Sequence, residues 1–324
     1  MLIDGLQCGH FNRGVFEELR AGAVSCVTIT GGFWQGCIES LDAITRWRDL
    51  ARENADLVVL VRDAEDIDRA RAEGKTAIIV GFQNTNLFDS RIRFVELFQD
   101  LGVRVVQLTY NNQNEYGGSC YEPEDSGLSR AGKVMVREMN EHGILIDLSH
   151  VGELTSQQVI EHSDKPVAIT HANPASVIPH KRNKTDKTLA LLKERRGIIG
   201  CASYRNICAP EHAESAEKWA EIVARTVDLV GIDHVGIGTD RSHGHTLADM
   251  HWMRMGRWTR EIDYGAGSPE NPGTTAPLDW FTEVRHIGRI PGALGNIGFS
   301  PDEVEAICFG NWRRVYGEVF PGGK

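Results

Sequence analysis

Short apolar runs recur along the chain, each followed by a segment with helical spacing. Read as buried strands, the runs cover 2–5, 23–30, 76–81, 103–108, 144–148, 166–170, 197–201 and 235–238. A further run at 57–61 is set aside as an accessory strand. Between the runs, apolar residues at intervals of three and four predict helices over 11–20, 38–54, 64–73, 91–101, 129–142, 155–162, 186–195 and 215–230. Ser129 stands where a helix N-cap is expected. Eight strands alternating with helices predict an α/β fold of the (β/α)8 TIM-barrel type. An open doubly wound sheet is the rival, but its usual glycine-rich phosphate turn after the first strand is missing. The stretch 241–297, rich in Gly, Pro, Trp and Met, reads as an irregular excursion over the barrel mouth, and 302–309 as a closing helix. With no repeat or linker in view, 1–324 is expected to be one domain.

Composition narrows the function classes. At 41% hydrophobic and 25% charged the chain has ordinary globular values. A formal net charge of −10 argues against a general nucleic-acid or anionic-membrane surface. Seven cysteines without a C-x-x-C pair give neither a disulfide framework nor a zinc ribbon, and suit a reducing compartment. No run approaches the roughly 18 apolar residues of a membrane span, so a cytoplasmic location is expected.

Candidate chemistry sits at the strand ends. Gly143-Ile144-Leu145-Ile146-Asp147-Leu148-Ser149-His150 and Pro166-Val167-Ala168-Ile169-Thr170-His171 both stop on a histidine. In a barrel of this type the C-terminal strand ends face the active-site mouth, so two successive histidines there are candidate metal ligands. Satisfied core histidines are the plainer alternative, and the repetition weakens it. Asp240 ends the eighth run and would face the same mouth, as a ligand or as the base for a metal-bound water. In Lys181-Arg182-Asn183 the arginine could bind a substrate carboxylate bidentately. Gln7-Cys8-Gly9-His10 offers a thiol and another imidazole after the first strand, and the long loop 110–127 is a candidate functional loop. His243, His245 and His251 cluster in the excursion, where surface positions are the commoner outcome. Gly31–Gly36 lacks the lysine of a phosphate loop, and neither G-x-S-x-G nor H-E-x-x-H occurs.

Several ordered motifs carry a resemblance. They are Leu101-Gly102-Val103-Arg104, Leu108-Thr109-Tyr110-Asn111, Gly127-Leu128-Ser129, Glu138-Met139-Asn140 and Ile146-Asp147-Leu148-Ser149-His150-Val151. Thr170-His171-Ala172-Asn173, Arg182-Asn183-Lys184-Thr185-Asp186 and the run from Leu229 to Asp240 continue the series. In these the chain resembles the membrane (renal) dipeptidase family of metallopeptidases, peptidase M19, as a divergent bacterial-type member. The resemblance implies a two-zinc barrel site that hydrolyses dipeptides. It places His150 and His171 on one metal, Asp240 as the catalytic carboxylate, and Arg182 on the substrate carboxylate. Tyr110, inside a matching motif, is expected to join Arg182 in binding substrate.

The other half of the site departs from the pattern. The family begins with D-G-H-x-D, and here Asp4-Gly5-Leu6-Gln7-Cys8 puts Leu6 and Cys8 where a histidine and an aspartate would bind the second metal. The bridging glutamate of the family falls on Gln83, a neutral amide and a far poorer bridge between cations. The expectation is one zinc ion per chain on His150 and His171, completed by water and by Asp240 or Cys8, with another divalent metal as the alternative. His10 reaches inward only if its loop is reshaped. The expected activity is hydrolysis of a small amide or dipeptide-like substrate bearing a carboxylate, by a homodimer. A silent or non-hydrolytic binding protein on the same barrel is the alternative. Different chemistry at a site rebuilt from Cys8, His10 and Gln83 is the third.

Overall fold

In the computed structural model, which describes residues 1–256 and 274–322, the apolar runs line up as a closed parallel barrel. The strands are β1 (Leu2–Gly9), β2 (Val24–Thr30), β3 (Val58–Leu60), β4 (Thr76–Phe82), β5 (Val103–Gln107), β6 (Leu145–Asp147), β7 (Ala168–Ala172), β8 (Ile198–Cys201), β9 (Val235–Ile237) and β10 (Arg241–His243). Eight of them form the wall in the order β1-β2-β4-β5-β6-β7-β8-β9, and Asp4 opposite Ile237 closes β9 onto β1. β3 pairs only with β4 and stays outside the ring, as the accessory strand was expected to do. Parallel strands covered on both faces need apolar residues at successive positions, which is why these runs do not alternate. Side chains such as Leu2, Ile78, Val106, Ile146, Ile169 and Ile199 pack outward into the main core shared with the helices.

Helix starts follow local capping chemistry. Ser129 accepts from Gly132 N at the head of Arg130–Glu141, and Ser215 accepts from Lys218 N ahead of Ala216–Val230. The helices Cys37–Glu53 and Glu65–Ala72 fall on their predicted segments.

Three stretches differ from the sequence expectation. β1 runs to Gly9 rather than ending at residue 5, because Gln7 pairs with Ile29 of β2 on one side and with Arg241 of β10 on the other. Leu6, Gln7 and Cys8 are therefore strand residues, and the polar Gln7 hid this in the pattern. The closing helix does not stop at 309. Ser300 caps Pro301–Glu305, a π turn at Ala306–Gly310 carries the chain past glycine, and a helix continues over Asn311–Val319. The excursion is partly regular. Leu247–Met255 is a helix, and Val284–Arg289 with Ile290–Asn296 packs against the outer helices Arg13–Ala21 and Ala216–Val230. Residues 257–273 of that excursion lie outside the described residues.

The C-terminal helix closes the end of the barrel where the strands begin. Phe309, Trp312, Val315 and Tyr316 cluster with Ile3, Ala77, Leu145, Ala168 and Ile198. Trp312 Nε1 donates to Ile237 O at 2.9 Å. Its indole lies so close to Gly5 and Gly236 that a Cβ at either would collide with it. Among the described residues, no helix is long and apolar enough to cross a membrane.

Candidate metal centre and active site

Two buried carboxylates organise the strand ends. Asp147, the last residue of β6, accepts from Ser149 N (3.0 Å), Ser149 Oγ (2.6 Å), Thr170 N (2.9 Å) and Thr170 Oγ1 (2.8 Å). Asp4 of β1 accepts from Thr239 N (2.7 Å), Thr239 Oγ1 (2.5 Å) and Gln7 Nε2 (2.8 Å). Each threonine immediately precedes a candidate site residue, Thr170 before His171 and Thr239 before Asp240. The two carboxylates thus pin the backbone from which those side chains project. Burial raises the pKa of both, against the lowering effect of these hydrogen bonds. Asp240 itself has φ +56°, a left-handed conformation that aspartate tolerates better than most residues.

The imidazoles are held in one tautomer each. The Thr170 hydroxyl donates to Asp147, so it receives the proton of His171 Nδ1, 2.8 Å away. Asn111 Oδ1 accepts from His150 Nδ1 at 2.6 Å. Both Nε2 atoms are then left with lone pairs, and they meet 3.1 Å apart. Burial, followed by the positive charges of Arg182 and Lys184, pushes both pKa values well below the ordinary histidine value, and for His150 the neighbouring His171 adds to this. Two neutral imidazoles whose Nε2 atoms stand this close are donors of the kind a divalent cation takes. Two nitrogens bound to one tetrahedral zinc at about 2.0–2.1 Å would stand about 3.3 Å apart, close to the spacing found.

Two basic side chains brace the main chain around this pair. Arg182 donates through Nη1 to Ser149 O and through Nη2 to His171 O at 3.0 Å. Lys184 Nζ donates to Val151 O and to Ser156 Oγ at 3.3 Å. The main chain on both sides of His150 is therefore tied to the loop after β7.

Above the strand ends lies a cavity of ≈ 300 Å³. His150, Arg182, Tyr110, Asp240, Cys8 and Gln83 all reach its wall, and His171 stands fully buried behind His150. The Tyr110 ring covers His150 at a centroid distance of 4.4 Å. Burial is the chief cause that raises Asp240 to a pKa of about 7, opposed by Arg182 and assisted by Asp4 and Asp147. Cys8 Sγ lies 3.4 Å from Ser242 Oγ, and burial together with Asp240 pushes its thiol up and keeps it protonated. His10 is not part of the cavity: it is exposed and pairs with Asp249 at 3.2 Å. Its loop is drawn to β10, where His10 N donates to His243 O, and this turns the ring outward. His245 does line the cavity, whereas His243 is buried against Gln7.

The sequence model described as "Membrane dipeptidase (Peptidase family M19)" matches residues 19–252. The chain belongs to this family. Among dipeptidase relatives, Dipeptidase aclJ of Aspergillus oryzae is 33% identical over 178 residues, 53% of this chain and 42% of that protein. Dipeptidase tcpJ of Claviceps purpurea is 32% identical over 220 residues, 65% of this chain and 51% of that one. The chain spans about half the length of the curated relatives it matches. A crystal structure of an amidohydrolase from Pseudomonas aeruginosa is 35% identical, with a TM-score of 0.93 over 99% of this chain and 96% of that chain. A metallo peptidase from Rhodobacter sphaeroides, liganded with a phosphinate mimic of the dipeptide L-Ala-D-Ala, is 19% identical at a TM-score of 0.80, covering 98% and 99% of the two chains, and shares the fold.

The dipeptidase family implies a metal ion, and this chain's donors fit it on one side of the mouth only. The His150–His171 pair fits a divalent ion. On the other side Leu6 is a buried hydrocarbon, Cys8 a buried protonated thiol and Gln83 a neutral amide. Among the described residues, no group of three or more His, Cys, Asp or Glu side chains could hold a metal. Sequence reasoning passed over Asn111, which orients His150, and the Asp147–Thr170 pair behind His171. For the latter a signal existed, since Asp147 and Thr170 are polar residues inside otherwise apolar strand runs.

Proposed function

We propose that this member of the dipeptidase family hydrolyses a small amide or dipeptide-like substrate bearing a carboxylate, using one divalent ion, zinc being the expected metal. The observation that carries the proposal is the pair of neutral imidazoles whose Nε2 atoms converge at 3.1 Å beside a cavity that also holds Asp240 and Arg182. His150 and His171 would hold the ion. When bound, it would polarise the scissile carbonyl and lower the pKa of a water molecule.

The chain's own groups supply the rest. Asp240, poised at about 7, can accept a proton from the attacking water and return it to the leaving amine. Arg182 keeps its orientation through two main-chain carbonyls, and its remaining N–H groups are available for the substrate carboxylate. Tyr110, Met250 and Met253 wall the cavity and limit water access. The dipeptide mimic bound by the Rhodobacter sphaeroides relative makes alanyl-alanine the first substrate to try.

Initial rates on a dipeptide panel with added zinc, manganese or cobalt test the proposal. Turnover is expected, and His150→Ala or Asp240→Asn should each lower kcat/KM by about 10²-fold or more. Absence of turnover with all three metals would contradict it. A non-hydrolytic binding protein is the second reading, favoured by Leu6 and Gln83, which coordinate metal poorly or not at all. Saturable dipeptide binding without hydrolysis would support it.

A further inference from the structure

β4 carries two strands on one edge. Its first half, Thr76 to Ile78, pairs with β3, and its second half, Val80 to Phe82, pairs with β5. At that junction a groove of ≈ 800 Å³ opens, sharing no lining residue with the catalytic cavity. Ile44 of the helix Cys37–Glu53, Val59 and Leu60 of β3, and Leu101 give it an apolar wall. Its polar residues are mostly arginines. Arg48 and Arg52 follow Ile44 at four-residue steps on one face of the helix, Arg62 lies just beyond β3, and Arg104 stands in β5.

Arg104 is the buried member, at 5% exposure. Its Nε donates to Arg62 O at 2.7 Å, and its Nη1 donates to Gln99 O at 2.6 Å and to Val103 O at 2.8 Å. Those three bonds use every proton on the two nitrogens. Nη2 keeps both of its own, with no partner among the described residues, and it is not sealed from solvent. Arg48 Nη2 donates to Leu101 O at 2.8 Å, so both guanidiniums are anchored on 99–103 with N–H groups to spare. Arg52 is paired with Asp49 and Asp66 with Arg69, whereas Arg48, Arg62 and Arg104 have no ion pair among the described residues. A buried cation without a counter-charge is costly, and burial pulls the Arg104 pKa down. Three such arginines against the one unpaired carboxylate of the groove, Asp100, leave an excess of two positive charges on a chain of formal net charge −10. A phosphate monoester matches this arrangement. Its dianion balances the excess, its terminal oxygens accept from several N–H groups at once, and an apolar body can lie on the wall of Ile44, Val59 and Leu60. We propose that the groove is a second ligand site, which binds the phosphate monoester of a small apolar molecule with the phosphate held by Arg48 and Arg104. The proposal is independent of the hydrolase reading.

The test is calorimetric titration of the purified full chain with phenyl phosphate, inorganic phosphate, phenol and benzoate, in a buffer free of phosphate and sulfate. Phenyl phosphate should bind at one site per chain, about tenfold or more tightly than each of the other three. Arg48 is exposed on its helix, so Arg48→Gln tests the site without the main-chain bonds that Arg104 carries, and it should weaken phenyl phosphate about tenfold. His171→Ala should leave that affinity within about twofold of wild type, because the metal centre takes no part. Absence of phenyl phosphate binding would overturn the proposal, as would equal binding of benzoate, phenol or inorganic phosphate. Unchanged affinity in Arg48→Gln would overturn it too, and so would a folded His171→Ala that no longer binds.

Discussion

A carboxylate that must carry a charge to act as a base sits where burial opposes that charge. Asp240 is held at about 7, against 3.8 for an ordinary aspartate. Between those values the folded chain binds more protons than the unfolded one. The stability this contributes is complete below the unfolded pKa and is lost as pH rises through about 7. Asparagine cannot ionise, so Asp240→Asn should match wild type near pH 4 and exceed it at pH 8, by about 2–4 kcal/mol. Thermal melts of chelator-treated protein at the two pH values check this, because a bound cation would favour the charged form. The same stability difference at both would contradict it. His150, His171, Asp240 and Arg182 were legible in the sequence because each follows an apolar run or sits in a recognisable tripeptide. Asn111 was not. Its side chain reaches His150 from a left-handed backbone at φ +58°, inside a loop whose many Asn and Gly residues carry no periodic signal.

At the scale of elements, the site depends on how the opposite end of the barrel is sealed. Trp312 occupies space left by Gly5 and Gly236, residues of the two strands that deliver Cys8 and Asp240. Trp312→Ala should cost about 3–5 kcal/mol, read as a lowered midpoint in urea denaturation, with a loss under 1 kcal/mol contradicting this packing. The eight wall strands could be read from their apolar runs, since two-sided burial leaves a continuous signature. The end of β1 could not, because its last residues pair with β10, a strand of three largely polar residues. The helix Asn311–Val319 was lost for a related reason. Gly310 followed by Asn311 reads as a stop, and only a π turn carries the helix through.

For the whole molecule, ring closure turns local strand ends into a site with two unlike sides. β6 and β7 supply imidazoles that Arg182 and Lys184 brace, while β9, β1 and β4 supply Asp240, Cys8 and Gln83. The first side carries the proposed metal ligands, and on the second Cys8 and Gln83 are neutral groups beside the carboxylate of Asp240. The most direct test of this account is the metal content of the purified full chain, measured with its variants after dialysis against trace zinc. One ion per chain is predicted, falling to none in His171→Ala. Two tightly held ions per chain, or one that persists in His171→Ala, would contradict it.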